Sequence, residues 1–342
     1  MNQSADSSRK YREGDFIETT EGLIFDVKGI VHPVDRAIAY LRYAPDPNGD
    51  RVKTNRRYRK IYKLTHRHHY LRQMYPHYLR YDSIFDMEVS QVPHNAIHRN
   101  YFPQHKVHEL MSKNPIDPFQ KRTLEFINKI TRIAHVPQSA LGVSGSLLVN
   151  LHSSNSDIDV IVYGTRAATS VQAALHEHIE DDEEFTPYPQ SVLQQRFFER
   201  QSTAGISFQN YVFHESRKTF QGYYNENDFF IRYIKNWDET NVKYGDYAYT
   251  NKGIVKLRGL ISDDTEAIFT PCTYDLTDVE VLEGLQVQQI SEITSFRGRF
   301  CDQAVKGEQI EARGKLEKVV GQSNTYYRLL LGNTLQDYMI RL

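Results

Sequence analysis

Asp157 and Asp159 stand two residues apart at the head of 158–162, a run that is otherwise apolar and β-branched. On a strand, residues i and i+2 project to the same face. The spacing therefore sends two carboxylates out together from a segment that wants burial. Like charges held so close repel and lose hydration. A divalent cation relieves both problems, and carboxylates with open water positions suit Mg²⁺ or Mn²⁺. Ser146 lies eleven residues before Asp157, and Gly145-Ser146 opens the apolar stretch Leu147-Leu148-Val149. Glycine lets a backbone approach a ligand closely, and a serine hydroxyl and amide at the start of a helix can hold a phosphate. An Asp-x-Asp pair alone is often a solvated strand end, and Gly-Ser alone is often a turn. The order turn, short helix, polar loop, apolar strand is far more restrictive than either.

These residues need elements to carry them. Residues 117–134 have apolar positions at helical spacing after an acidic start, which predicts a helix before the Gly-Ser turn. Residues 171–180 and much of 190–219 read as helical, and 229–234 as a strand. Ahead of this centre, 16–20, 23–30 and 37–43 are short segments rich in β-branched and aromatic residues. Behind it, 254–261, 267–274, 292–301, 309–320 and 326–331 read as strand after strand. The expected class is α+β: a central α/β domain with a mixed sheet (116–244), preceded by a β-rich region (1–50) and a basic, Tyr/His-rich connector (51–115). A mostly antiparallel β-domain, closed or sandwiched, follows at 245–342.

The stretch SGSLLVNLHSSNSDIDVIVYG resembles the signature of the polymerase-β-type nucleotidyltransferase superfamily. The segments EGLIFDVKG, DDTEAIFTPC (263–272) and FRGRFCDQA (296–304) are similar to an archaeal group of predicted nucleotidyltransferases. The resemblance implies that Ser146 and the backbone around Gly145 contact the β- and γ-phosphates of an NTP, while Asp157 and Asp159 bind Mg²⁺ (or Mn²⁺). It also implies a third carboxylate on a neighbouring strand. The position that aligns best there is Phe230, a departure from the pattern. Asp228, two residues earlier and on the same strand face, is the candidate third catalytic and metal-binding acid; Glu226 and the cluster Asp263, Asp264 and Glu266 are rivals. Arg232 shares the face of Asp228 and is the candidate for contacting the triphosphate or pairing with a carboxylate, with Arg217 and Lys218 weaker candidates. The expected reaction is transfer of a nucleotidyl group from an NTP to a hydroxyl, with release of pyrophosphate.

Lys plus Arg total 42 against 43 for Asp plus Glu, a net charge of -1. A protein that is basic throughout is excluded, so any nucleic-acid surface must be a local patch. One exists: residues 51–80 hold ten Lys or Arg and no acid, interleaved with five tyrosines. Charge mixed with aromatic rings tracks a phosphate backbone and stacks bases. Arg56, Arg57, Arg59 and Lys60 are the candidate nucleic-acid contacts, and an RNA acceptor, tRNA among the candidates, is the leading expectation. A small-molecule or protein acceptor is the first alternative, favoured if the basic window proves remote from the Asp pair. A non-catalytic nucleic-acid-binding protein that keeps the fold is the second. His94 with His98, and His105 with His108, have helical spacing that zinc uses, but Pro93 and Pro103 interrupt the region. Solvent- or nucleic-acid-facing roles suit these histidines better. Two cysteines, Cys272 and Cys301, cannot form a disulfide framework and read as core residues. No apolar run approaches the roughly 18 residues that span a bilayer, and the polar N-terminus lacks the apolar core of a secretion signal. A cytoplasmic protein without membrane contact is expected.

Overall fold

A computed structural model describes residues 10–113, 117–179, 182–199 and 206–342. The polar N-terminal residues 1–9 and part of the helical stretch expected at 190–219 lie outside them. Helices and strands are mixed, as an α+β chain requires. They fall into two compact units, one of 1–83, 87–174 and 226–244, the other of 84–86, 175–225 and 245–342.

The first unit begins with β1 (Phe16–Thr19), β2 (Ile24–Val27), β3 (Arg36–Pro45), β4 (Arg51–Lys53) and β5 (Arg56–Lys60). After α1 (Leu64–Met74) come β6 (Leu79–Asp82), β7 (Met87–Pro93), β8 (Ile97–Tyr101) and α2 (Pro103–Ser112). The main path of this sheet runs β4-β5-β3-β2-β1-β8, with β7 on β3 and β6 on β7. Residues read from the sequence as a connector thus supply five of its eight strands. Alternation along β2 gives the sheet two faces. Phe25 and Val27 join Ile17, Leu41, Leu71 and Tyr78 in one core. Ile24 turns the other way, with Phe16, Tyr43, Tyr58 and Tyr101, and packs on Leu148, Val149 and Leu151. Burying those last three apolar side chains contributes about 1.5–3 kcal/mol each, so the segment after the Gly-Ser turn is fastened to the sheet. The strand expected at 23–30 stops at Val27, because Gly29 takes a positive φ of 70° and leaves the ladder.

Next come α3 (Pro118–Ala134), β9 (Leu141–Val143), α4 (Gly145–Leu148), β10 (Ile158–Tyr163) and α5 (Thr165–His178). Asp117 caps α3 by accepting the Gln120 amide at 2.9 Å, with Pro118 at the first helical position. The buried stripe of α3 includes Phe119, Phe126, Ile127 and Ile130.

In the second unit, β11 (Phe185–Thr186) pairs antiparallel with β12 (Gln221–Tyr224), and α6 (Gln190–Glu199) and α7 (Phe208–Ser216) lie between them in sequence. The first unit then regains β13 (Asn227–Ile234). The remaining strands are β14 (Tyr247–Asp263), β15 (Cys272–Glu283), β16 (Ile290–Ser295), β17 (Gln309–Gly321), β18 (Thr325–Leu331) and β19 (Tyr338–Arg341). They run β14-β15-β16-β18-β17, and β17 pairs back with β14 to close the ring while β19 adds to β17. In this sheet, among the described residues, β16 and β18 pair in parallel and the other pairs are antiparallel. The strand expected at 267–274 starts later, at Cys272, because 264–269 form turns closed by Ala267 N–H to Asp264 and Phe269 N–H to Glu266. Cys272 and Cys301 are both buried and unbridged, and burial raises the Cys272 thiol. No helix among the described residues is long and apolar enough to cross a membrane.

Candidate active site

In the first unit β10 pairs antiparallel with β9 and parallel with β13. The register sets Asp159 beside Phe230 and Ile161 beside Arg232. At the end of β9 the Ser144 amide donates to the carbonyl of Asp159 at 2.9 Å, and its hydroxyl donates to the carbonyl of Gly14 at 2.8 Å. The chain must then turn sharply, and Gly145 does so at φ +61°. A Cβ at this position would collide with the Asp159 carboxylate. Glycine is needed twice here, for its left-handed backbone and for the space that lets the acid rest on the turn. The Leu151 amide donates to Ser146 at 2.9 Å and closes the loop. His152, stacked on Phe119 at 5.5 Å, bonds Asp117 at 2.9 Å and ties the polar loop before Asp157 to the start of α3.

Ser144, Gly145, Ser146 and Asp159 form one wall of a cavity, which Phe230 and Arg232 continue on β13. The opposite wall comes from the N-terminal sheet: Phe16, Asp26, Arg42, Tyr43 and Lys60. Neighbouring strands bring these together, since Phe16 is the partner of Asp26 and Tyr43 the partner of Lys60. Because α4 is only four residues long, its dipole is small. The positive charge of the cavity comes instead from the side chains of Arg42, Lys60 and Arg232.

The acids and cations of the cavity shape one another. Burial first, and then the neighbouring Asp157, push the Asp159 carboxyl up to about 6, against the pull of Arg232, Arg42 and Lys60. Burial and Arg42 lower Lys60, while Asp157 and Asp159 act the other way. Asp159 on the cavity wall and Asp157 close enough to act on it, beside serine hydroxyls and with no sulfur or imidazole among the wall residues, are a hard oxygen donor set that fits Mg²⁺ or Mn²⁺. Among the described residues no three Asp, Glu, His or Cys side chains converge as a cage for a metal ion. Two carboxylates, completed by water and substrate phosphate, are the usual arrangement for Mg²⁺.

Of the residues expected from the sequence, Gly145, Ser146, Asp159 and Arg232 share this cavity. Asp157 is exposed just ahead of β10. Asp228 is half-buried at the start of β13, one step before the Ile158–Phe229 pair, and neither it nor Asp157 is part of the cavity wall. Strand alternation splits the basic quartet. Lys60 faces the cavity with the buried Tyr58, whereas Arg57 and Arg59 turn to solvent. Arg56 is also exposed and donates to the carbonyl of Glu21 at 2.8 Å; Arg57 donates to Gly49 at 3.0 Å, and Arg59 pairs with Asp46 at 3.2 Å. In the second unit Lys218 is buried against Glu215 and the Arg299 carbonyl at 2.6 Å, and Arg217 pairs with Glu308 at 3.0 Å. Asp263 accepts from the Thr265 amide of its own turn at 3.3 Å, and Asp264 accepts from the distant Lys306 amide at 3.2 Å.

The sequence reading missed Asp26, Arg42, Tyr43 and Phe16. One signal was available: Asp26 is a charge inside the apolar run LIFDV. Glu13, 1 % exposed, organises this side of the cavity by accepting from Lys28 at 2.8 Å, Arg232 at 2.9 Å and the Gly29 amide at 2.7 Å. Glu13→Ala is expected to cost about 3–5 kcal/mol in urea unfolding, because it removes a buried carboxylate shared by two cations and a backbone amide. A loss under about 1 kcal/mol would show that the network is slack.

A model of the nucleotidyltransferase domain matches residues 124–214, which include the Gly-Ser turn, Asp157 and Asp159. The uncharacterized protein MJ1086 of Methanocaldococcus jannaschii is 30% identical over 338 residues, covering 96% of this chain and 97% of that protein. No solved structure matches. With the Gly-Ser turn and its Asp-x-Asp strand assembled as described and the relative aligned almost end to end, the chain belongs to the polymerase-β-type nucleotidyltransferase superfamily, in company with this archaeal protein.

Proposed function

We propose that the protein transfers a nucleotidyl group from an NTP to a hydroxyl of an RNA acceptor, releasing pyrophosphate. The observation that carries this reading is the Asp159 carboxylate resting on Gly145 in a cavity whose other walls present Arg42, Lys60 and Arg232. The turn at Gly145-Ser146 and the three cations hold and neutralise the triphosphate, and phosphoryl transfer depends chiefly on such positioning and charge neutralisation. Asp157 and Asp159 are the residues that would hold Mg²⁺, which when bound supplies charge stabilisation at the phosphates. Asp228 stands on the same strand face as Phe230 and is the candidate third acid. Phe16, Tyr43 and Phe230 offer apolar surface to the nucleoside.

An RNA acceptor is favoured because the basic window adjoins the acids: β5 carries Lys60 into the cavity and Arg57 and Arg59 onto its outer face. Replacing Arg56, Arg57 and Arg59 by Ala is expected to weaken RNA binding at least tenfold at low salt and to flatten its salt dependence. Unchanged affinity in a filter-binding titration would count against the patch. Phe230, beside Asp159 where an acid is expected, favours one second reading, in which the protein binds nucleotide without turning it over. Incubation with each labelled NTP, Mg²⁺ and cellular RNA separates the two. Label transfer with pyrophosphate release supports the enzyme. Metal-dependent NTP binding without release selects the binding protein.

A further inference from the structure

We infer that Asp26 reads a hydrogen-bond donor on the bound nucleotide, either a sugar hydroxyl or an amine of the base, and so sets which nucleotides the cavity accepts. This rests on the nucleotide-binding reading above and adds a selectivity determinant to it. Asp26 lies in the middle strand of a three-strand set, paired with Phe16 on β1 and Tyr40 on β3. It is 8 % exposed and lines the same cavity as Gly145, Ser146 and Asp159. One oxygen, Oδ2, is held by Lys28 at 2.8 Å. The other, Oδ1, is buried and has no hydrogen-bond partner among the described residues. Burial would raise this carboxyl, but Lys28, then Arg232 and Arg42, outweigh that and keep it below its usual value, ionised. It can therefore only accept.

Charge decides what it accepts. A divalent cation at Oδ1 would enter the field of Lys28, Arg232 and Arg42, and among the described residues Asp26 belongs to no cluster of three acid, His or Cys side chains that could hold one. A phosphate would be repelled by the carboxylate and is already served by the cations. A neutral O–H or N–H donor meets neither objection. In the free protein a water can occupy the place. When a nucleotide displaces it, a group that cannot donate leaves a buried carboxylate oxygen bare, and sites of this kind discriminate strongly against analogues that lack the donor.

Calorimetric titration of the full-length protein with Mg²⁺ and no acceptor tests this, using ATP, 2′-deoxy-ATP, 3′-deoxy-ATP and inosine triphosphate. The first two analogues each remove a sugar hydroxyl and the third removes the base amine. Wild type is expected to bind one analogue at least tenfold more weakly than ATP, and the identity of that analogue names the donor. Asp26→Leu/Lys28→Met, which replaces the ion pair by apolar side chains, is expected to bring that ratio close to one. Should the double variant not fold, Asp26→Asn carries the test, since its neutral amide is the weaker acceptor and the ratio falls several-fold. Nucleotide binding with ratios that Asp26 substitution leaves unchanged, or equal affinity of wild type for all four, overturns this inference alone. No binding of any nucleotide by wild type overturns the nucleotide reading and this inference with it.

Discussion

Asp159→Asn is expected to reduce pyrophosphate release at least about a thousandfold, since it removes one of the two carboxylates proposed to hold the ion. The same substitution is expected to stabilise the metal-free protein at neutral pH. The folded Asp159 carboxyl titrates near 6 against an ordinary 3.8, with burial as the main cause and Asp157 second. A folded pKa above the unfolded one means that the folded state favours the protonated form. The resulting penalty is absent below about pH 4, grows between 4 and 6, and is complete above 6. At 1.36 kcal/mol per unit this amounts to roughly 2–3 kcal/mol, of which the neutral amide recovers on the order of 1–2 kcal/mol. Urea unfolding at pH 7.5 and pH 4 is the check: Asn should be the more stable at the higher pH, and the gap should close at the lower. Added Mg²⁺ should raise the stability of wild type and leave the variant unmoved. An active Asp159→Asn protein, or one less stable than wild type at pH 7.5, would remove Asp159 from the centre of the site.

Gly145→Ala is the second large effect. The methyl group meets the Asp159 carboxylate, and the backbone stands at φ +61°, where alanine is strained by about 1–2 kcal/mol. The acid must shift, and a displacement of about 1 Å at a reacting centre costs on the order of a hundredfold in rate. Both kcat/KM and Mn²⁺ affinity, the latter followed by electron paramagnetic resonance, should fall while the far-ultraviolet circular dichroism is kept. Wild-type Mn²⁺ affinity in this variant would mean that the close approach of turn and acid serves packing alone.

Much of the centre was legible because its signals are local. The helix Pro118–Ala134 announces itself through Asp117, Pro118 and an apolar stripe, all within one stretch of chain. Asp157 and Asp159, at the head of β10, and the turn at Gly145 are likewise read from spacing. Where the reading slipped, a local pattern met a competing local rule. At 267–271 an apolar run yields to turns before a proline. At Lys60 a basic cluster is divided by the alternation of a strand that the composition had hidden.

Residue types and their spacing were enough to determine the family, the acid pair and the glycine that admits it, since each depends on neighbours a few positions away. Tertiary structure alone decided that Phe16, Asp26, Arg42, Tyr43 and Lys60 complete the cavity. Those residues lie about a hundred positions or more before Asp159, on strands whose pairing order follows from burial and register. One residue of slip there would turn Asp26 from the cavity into the opposite core.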